Sequence, residues 1–440
     1  MNKTLRNIIV ATACVIVLAI VAIGVTFYFI AVHDAPPPDD SAYKTTYKPV
    51  PPETNAIVTL EKLAGKVKTN LKDYPELNGY LSTDEWEDFL SGNRIDFELQ
   101  VPVVVRNQEA LAILSEAMKK PKVQFAPFVT EDGTTRNFDP SDFFNLNKIV
   151  RVTWQNTKDG KVIFAWDDAL ANFQFTKRYG TAENITFINF LLALACERAG
   201  SNLMIKNIAN LEDREIAIKT AVVLNDDAFK LADLKFWPRM EYAMADTVVD
   251  STLRMMEKAH KRTLLGCYLF KPNDTRQRAL VICETMRKAI DRGDLSFDIP
   301  PAPDILKMNF VEKRIYAWGP NSIGRMTMDL VARERYDILY KNILHEFACF
   351  RVITCAFALR AYWLDHGRLP DSLGELAPEY IKTVPLDIYG GKPVQYDRER
   401  GVVYSAGPKL VCSTGEFARE PNAIPNRERY FVLLDWSTSK

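Results

Sequence analysis

Residues 8–32 read IIVATACVIVLAIVAIGVTFYFIAV, an apolar stretch that contains no charged residue. As an α-helix, its 25 residues would be about 37 Å long, compared with roughly 30 Å for the hydrocarbon core of a bilayer. A cleaved signal peptide has a shorter apolar core, of about 7 to 15 residues, followed by a small-residue cleavage site. This stretch instead continues through the aromatic residues 27–29. We therefore predict a retained, single transmembrane helix over residues 8–32 that contacts the lipid bilayer.

The charges on the two sides of this stretch differ in sign. Lys3 and Arg6 precede it, whereas three aspartates follow it, at positions 34, 39 and 40. Positive residues flank the cytoplasmic end of a transmembrane helix, so residues 1–7 are predicted to be a cytoplasmic tail. The bulk of the chain is then on the far side of the membrane.

Residues 33–52 are rich in proline, with Pro36, Pro37 and Pro38 in sequence and three more prolines by position 52. Proline favours an extended polyproline conformation and cannot propagate a helix. We predict a linker here that separates the membrane from the rest of the chain.

The composition is that of a globular protein. The chain has 440 residues, of which 47% are hydrophobic and 25% charged, which excludes a disordered chain or a many-span transporter. The 56 Lys and Arg residues equal the 56 Asp and Glu residues, so no basic surface predicts nucleic acid as a partner. The seven cysteines include no Cys-x-x-Cys pair, which favours buried free thiols and leaves one or two disulfides open.

Residues 53–303 are predicted to form a helical extracytoplasmic domain, because apolar residues recur at spacings of three and four. One helix is predicted to begin near Ile57, and another, which includes Ala110 and Leu114, to end at Met118. Residues 167–179 and 184–208 are predicted to form a helical hairpin, and residues 274–291 a further helix. Ser82 or Thr83, and Ser141 or Asp142, are predicted N-caps. The apolar run 187–196 is too short to cross a membrane and predicts a core helix. An α-solenoid is one alternative architecture, and the proline cluster at 297–303 predicts the end of the domain.

Residues 304–440 are predicted to hold a long helix and a small α+β module. The helix covers residues 326–365, with Arg351 and Arg360 on its outer side, and Gly367 ends it in a left-handed conformation. Asp371 is the predicted cap of a one-turn helix. Strands are predicted at residues 394–396 and 402–405, joined by a hairpin loop. The predicted fold class is therefore mainly α, with one transmembrane helix, a large helical body and this module.

The module carries a sequence resemblance. A helix that ends in Tyr362-x-x-Asp-His-Gly-Arg-Leu-Pro is followed by Leu-x-x-Leu, Tyr380, Val-Pro-x-Asp, Gly-Lys-Pro and Tyr404-Ser-x-Gly-Pro. This order resembles the soluble part of the type II secretion major pseudopilin, and the tails of uncharacterised membrane-anchored bacterial envelope proteins. The resemblance implies a pilin-like fold for the tail. It also implies a bacterial envelope setting, with the anchor in the inner membrane and the bulk in the periplasm.

The chain departs from the pseudopilin pattern in two ways. In the pseudopilin, the membrane helix continues directly into the module after a short processing motif, whereas here roughly 300 residues intervene. The family's acidic, calcium-binding loop is replaced by residues 409–416, and only Glu416 and Glu420 remain as nearby carboxylates. Calcium takes about six to eight oxygen ligands, so the sequence favours no cofactor, and calcium is the one metal left open.

Residue types with catalytic potential are sparse. With four histidines, a histidine-based site has few ways to form, and His345 with Glu346 is predicted to be a pair on a helix surface. His366 is predicted to interact with a helix end. The adjacent carboxylates at 167–168 and 226–227 point to different helix faces, which suits solvated surface positions. We predict no catalytic, cofactor-binding or metal-binding residue, and core positions for most of the seven tryptophans.

These observations favour a non-enzymatic, membrane-anchored envelope protein that binds a protein partner, with secretion or pilus-like assembly as the more specific role. The alternative is an extracytoplasmic hydrolase or carbohydrate-binding protein with a groove of acidic and tryptophan residues in the helical body. A sensor is disfavoured, because the tail of residues 1–7 has no room for an output domain.

Overall fold

The computed structural model describes residues 3–43, 48–77, 81–92, 96–126, 140–158, 161–258, 263–296, 307–332, 335–407 and 431–433, with only the backbone for residues 3–15, 97, 156–158, 161–162, 227, 258, 315, 329–332, 335, 337 and 431–433. Within these ranges the chain is mainly α-helical, as predicted. The α-helices are α1 (Lys3–Val32), α2 (Ala56–Leu60), α3 (Thr83–Leu90), α4 (Phe97–Arg106), α5 (Gln108–Met118), α6 (Ser141–Thr153), α7 (Trp166–Gly180), α8 (Phe187–Lys206), α9 (Arg214–Asp227), α10 (Phe236–Lys258), α11 (Leu264–Leu269), α12 (Pro272–Arg292), α13 (Phe310–Trp318), α14 (Ser322–Ala332) and α15 (Arg335–His366). The strands are β1 (Gln155–Lys158), β2 (Lys161–Phe164), β3 (Gln395–Asp397), β4 (Val402–Tyr404) and β5 (Phe431–Leu433).

The chain folds into two units, each built from separate parts of the sequence. Unit 1 contains residues 1–45 and 237–338, and unit 2 contains residues 46–236 and 339–440. These limits differ from the predicted division at positions 52 and 303, which followed the proline-rich stretches. Local breaks in helix pattern do not reveal that α1 packs with helices more than 200 residues later in the chain.

Unit 1 places the first part of the predicted linker in its core. The hydroxyl of Tyr242 donates to Asp40 over 2.9 Å, and the hydroxyl of Tyr43 donates to Glu284 over 2.5 Å. Tyr43, Tyr242 and Cys283 belong to one buried cluster. The prediction of a linker over residues 33–52 is therefore wrong for residues 33–43. Prolines excluded a helix there, but the aromatic and acidic side chains between them form tertiary contacts.

Unit 2 has the predicted helical hairpin, formed by α7 and α8, at its centre. The rings of Phe143 in α6 and Tyr179 in α7 stack with 4.1 Å between centroids. Strands β1 and β2 form an antiparallel pair, and β3, β4 and β5 form an antiparallel sheet in that order. The predicted hairpin of strands at 394–396 and 402–405 is confirmed to within a residue.

The long C-terminal helix differs from its prediction. It begins at Arg335 rather than at residue 326, because α14 is a separate helix. Among the helices whose side chains are described over a sufficient length, Ile338–His366 is the one long and apolar enough to cross a membrane, but 83% of that apolar stretch is buried inside the protein. We therefore assign α15 as a core helix of unit 2.

Between residues 343 and 362, α15 is buried on nearly all sides, which corrects three side-chain predictions. Arg360 is buried, not outside, and it donates to the carbonyl oxygens of Leu211 and Ala209 over 2.9 and 2.8 Å. His345 and Glu346 are buried as well, and Glu346 accepts a hydrogen bond from Arg198 over 2.6 Å. The predictions assumed a solvated polar face, whereas these polar side chains have partners inside the protein.

One predicted helix cap is confirmed, and the other predicted helix starts differ from the structure. Ser82 forms a capping box with Glu85, as predicted. Ser141 is the first residue of α6 and does not cap it, since Pro140 occupies the cap position. Ser372, not Asp371, caps the one-turn helix Leu373–Leu376. The helix predicted from Ile57 is only five residues long and continues as a 3-10 turn.

A glycine at the end of α7 permits the close packing of unit 2. A Cβ atom on Gly180 would lie 2.2 Å from Phe229 and 2.9 Å from the Cβ of Ala193. We expect Gly180→Ala to lower the free energy of unfolding by roughly 1–3 kcal/mol through overpacking. In α8, a Cβ on Gly200 would lie 3.4 Å from Trp154, an ordinary contact. Gly200→Ala should therefore be neutral or stabilising by up to about 1 kcal/mol. Urea denaturation of both variants measures the difference, and equal effects would contradict the packing argument.

Candidate functional site

The described part of α1 exposes its apolar side chains. Residues 16–26 are all exposed, among them Leu18 and Ile23, with 67% and 69% of their surface accessible. Exposed apolar surfaces of this extent mark contact with a membrane or another protein. Near the end of the helix Ala31 is buried, at 1% accessible, whereas Ile30 and Val32 on either side of it are 40% and 57% accessible.

The C-terminal end of α1 is capped by a lysine from another part of unit 1. The last four carbonyl groups of a helix have no partner within it. The Nζ of Lys271 donates to the carbonyl oxygens of Ile30, Ala31 and His33 over 2.6, 2.7 and 2.6 Å. Its positive charge also suits the negative end of the helix dipole. Burial lowers the pKa of Lys271, and the nearby Asp34 carboxylate acts in the opposite direction.

Asp34, which follows α1, in turn caps the start of α12. The carboxylate of Asp34 accepts hydrogen bonds from the backbone N–H groups of Asn273 and Asp274 over 2.9 and 3.2 Å. These groups lie in the first turn of α12, where N–H groups are unpaired and a negative charge is favoured. The end of α1 and the start of α12 therefore cap each other.

Asn321 connects these two capping contacts to α11 and α14 by hydrogen bonds. Its backbone N–H donates to the carbonyl of Tyr268 over 2.9 Å, and its side-chain oxygen accepts from the backbone N–H of Lys271 over 2.9 Å. It is buried and has a left-handed φ of 54°, a conformation that asparagine tolerates better than most residues. We call Asp34, Lys271 and Asn321, with the backbone groups that they bind, the junction.

In the sequence, Asp34 stands out only as a charge after the apolar stretch, and Lys271 and Asn321 were not predicted to have a functional role. Pro272 directly after Lys271 is the one local signal, because proline favours the first turn of a helix. Nothing local indicates that Lys271 contacts a carbonyl 238 positions earlier. A cavity of about 160 Å³ adjoins the junction and is lined by Ala31, Val32, Asp34, Leu253, Met256, Cys267, Phe270, Lys271 and Pro272.

In unit 2, the aspartate of the Val-Pro-x-Asp turn organises the C-terminal segment. The buried Asp387 carboxylate accepts two contacts of 2.8 Å from the Ser405 hydroxyl, one of 2.6 Å from the Ala406 N–H and one of 3.1 Å from the Tyr389 N–H. Ser405 and Ala406 directly follow β4. Asp387 thus connects the turn before β3 to the end of β4.

Three tyrosines connect the rest of the segment that carries the resemblance. Their hydroxyls donate as follows: Tyr362 to Glu375 over 2.9 Å, Tyr380 to Asp365 over 2.7 Å, and Tyr396 to the carbonyl of Pro370 over 3.1 Å. The His366 Nδ1 lies 3.1 Å from the carbonyl of Tyr362 in the last turn of α15, the position predicted for it. These side chains hold the segment together and do not converge on a cleft.

A cavity of about 290 Å³ lies between α9, α15 and the turn. Its lining residues are Leu224, Asn225, Ala228, Phe229, Lys230, Phe347, Phe350, Arg351, Thr354, Pro385 and Leu386. The charged members are two cations, Lys230 and Arg351, and Arg351 donates to the carbonyl of Leu386. Burial lowers the pKa of Arg351, against the influence of Asp387. An apolar pocket with two cations has no carboxylate for acid or base catalysis.

The other residues named in the sequence analysis lie away from the junction and from the cavity beside Arg351. Asp167 forms an ion pair with Lys219 on the surface. Four tryptophans are buried, namely Trp86, Trp154, Trp166 and Trp237, whereas Trp318 is 63% accessible. Cys196, Cys267, Cys283, Cys349 and Cys355 are free thiols, and burial raises the pKa of Cys196 and Cys355 to about 12. Within the described ranges no three His, Cys, Asp or Glu side chains group as metal ligands, and the loop at 409–416 lies outside those ranges.

Comparisons of the chain with models of protein families, with curated proteins and with solved structures find no match. The features that indicate a function are therefore the contacts of the junction, the exposure of α1 and the C-terminal segment.

Proposed function

We propose that the chain is a single-pass membrane protein of a bacterial envelope, with α1 across the inner membrane. The observation that carries this proposal is the exposure of the apolar side chains of α1 over residues 16–26. In water such a surface would be unfavourable by about 25 cal/mol for each Å² of apolar area, whereas lipid tails solvate it. Lys3 and Arg6 before the apolar stretch favour a cytoplasmic N-terminus, which leaves the remainder in the periplasm.

Two measurements on the full chain test the crossing and its direction. The chain should stay in the membrane pellet after alkaline carbonate extraction. A C-terminal alkaline phosphatase fusion, which is active only in the periplasm, should be active, and a C-terminal green fluorescent protein fusion should be dark. Release by carbonate would contradict the crossing, and the opposite pattern of fusions would contradict the direction.

We further propose that unit 2 has a non-enzymatic role and binds a protein partner in the envelope, in secretion or pilus-like assembly. The support is the sequence resemblance of the segment 362–408 to the pseudopilin, together with the way Asp387 and the three tyrosines bind within the segment itself. Leu386, beside the cavity with Arg351, is 53% accessible and gives this segment an apolar contact point. The hydrolase or carbohydrate-binding alternative gains no support, because the tryptophans of the helical body are buried.

Site-specific photo-crosslinking tests the partner proposal. A photoreactive phenylalanine analogue at Leu386 should give a discrete crosslinked product in intact cells. The same analogue at Ile188, which is 65% accessible on α8 of the same unit, is the matched control and should give none. Equal products at both positions, or a product at neither, would contradict a partner surface at Leu386.

A further inference from the structure

The apolar stretch of α1 is longer than a membrane requires. Residues 8–32 exceed a hydrocarbon core of roughly 30 Å by about five residues. Near the end of α1, Ala31 is buried within unit 1, whereas Val32 is 57% accessible. If the first residues of the stretch lie at the inner boundary, the outer boundary of the hydrocarbon core lies near Phe27 and Tyr28.

The short helix α11 directly precedes the junction residue Lys271 in the chain and lies beside the end of α1 near this boundary. Lys271, two residues after α11, binds the end of α1 at Ile30–His33, whereas the ring of Tyr268 lies 4.9 Å from the ring of Phe27. Helices α1 and α11 pack against each other, and Leu264 and Leu265 at the start of α11 are 40% and 49% accessible. Residues 263–270 contain no charge, and Lys261 and Arg262 precede them.

A contact of Asn321 places the end of α13 near the same membrane boundary as α11. The hydrogen bond from the Asn321 N–H to the carbonyl of Tyr268 fixes the start of α14 beside α11. Trp318, the last residue of α13, lies three residues before Asn321. Trp318 is 63% accessible, and Val311, seven residues before it on the same helix face, is 62% accessible. The Tyr316 ring faces the other way, toward Arg325 of α14 at 5.9 Å.

The composition of α13 suits the headgroup region of a bilayer. Phe310 is 71% accessible, and the guanidinium of Arg314 stacks on its ring at 5.0 Å. Glu312 and Lys313, one and two positions after Val311, are exposed on other faces of the helix. Tryptophan is enriched at membrane interfaces, and the apolar stems of lysine and arginine let their charges reach the phosphates. A helix with exposed apolar and aromatic residues beside cations binds in the plane of the interface.

We propose that α11 and α13 lie in the headgroup region of the bilayer around the outer end of α1, with Leu264, Val311 and Trp318 in contact with lipid. This inference rests on the proposed crossing of α1, since the position of α1 sets the depth of both helices. Unit 1 is then held against the membrane surface, where anionic lipids pair with Arg314, and does not stand away from it on a linker.

Tryptophan quenching in vesicles of phosphatidylethanolamine and phosphatidylglycerol tests the proposal on the full chain. The signal of Trp318 is the difference between the natural chain and Trp318→Phe. Lipids brominated near the headgroup should quench this signal by about twofold or more, and aqueous iodide should have little effect.

A matched pair of variants provides the control. In the Trp318→Phe background, Val311→Trp adds a tryptophan on α13, and Val101→Trp adds one at a 65% accessible position on α4 of unit 2. We expect lipid quenching for the first and iodide quenching for the second. If the chain resists carbonate but iodide quenches both added tryptophans and Trp318, the interfacial position is wrong and the crossing stands. Release of the chain by carbonate overturns both.

Discussion

Replacement of Asp387 by alanine is expected to lower the free energy of unfolding of unit 2 by roughly 3–5 kcal/mol, with loss of local order over residues 385–407. The carboxylate accepts from the Ser405 hydroxyl and from the N–H groups of Tyr389 and Ala406. Asp387 is 3% accessible, so water cannot replace the lost acceptor without opening the segment. An unpaired buried donor costs about 1–3 kcal/mol, and three donors lose their partner together.

Asp371 in the same segment offers the control. It is exposed and pairs only at the surface, with Arg398, so Asp371→Ala should cost less than about 1 kcal/mol. Hydrogen exchange should show lost protection at residues 385–407 in Asp387→Ala and unchanged protection in Asp371→Ala. Similar exchange in both variants would mean that Asp387 does not organise the turn. Asp387→Asn, which keeps one acceptor oxygen, should fall between the two.

The parts of the fold that the sequence predicted are those governed by local physics. The spacing of apolar residues predicted the α7 and α8 hairpin, and the left-handed Gly367 marked the end of α15. The strands β3 and β4 followed from alternation around a turn. In each case the signal lies within a few residues of the element that it specifies.

The parts that it did not predict depend on distant partners. Arg360 is charged, and its burial became understandable only once the carbonyl oxygens of Ala209 and Leu211 were found beside it. Tyr43 lies within a proline-rich stretch, yet it packs against Tyr242, about 200 positions away. The junction is the strongest case, because each of its caps joins residues that are far apart in sequence.

Replacement of Lys271 by methionine is expected to lower the free energy of unfolding of unit 1 by about 3 kcal/mol, because it removes a charged donor from three carbonyl groups. Methionine has a similar length and keeps the apolar contacts of the lysine stem, so the loss is that of the donor. The carbonyls of Ile30 and Ala31 then have no partner in the helix, and the last turn of α1 should fray. Hydrogen exchange over residues 31–35 reports the fraying. Lys288→Met, at an exposed position of α12, should change the free energy of unfolding by less than about 0.5 kcal/mol.

A double-mutant cycle shows whether the two caps act together. Asp34→Ala alone should cost about 1 kcal/mol, because the N–H groups of Asn273 and Asp274 in the first turn of α12 lose their acceptor. If α1 and α12 are held by one cooperative junction, freeing either helix end already weakens the other cap. The double variant should then cost less than the sum of the single variants, by about 0.5 kcal/mol or more. Strict additivity would mean two independent caps. In that case α1 could loosen without affecting α12, and unit 1 would not set the depth of α11 and α13 beside the membrane.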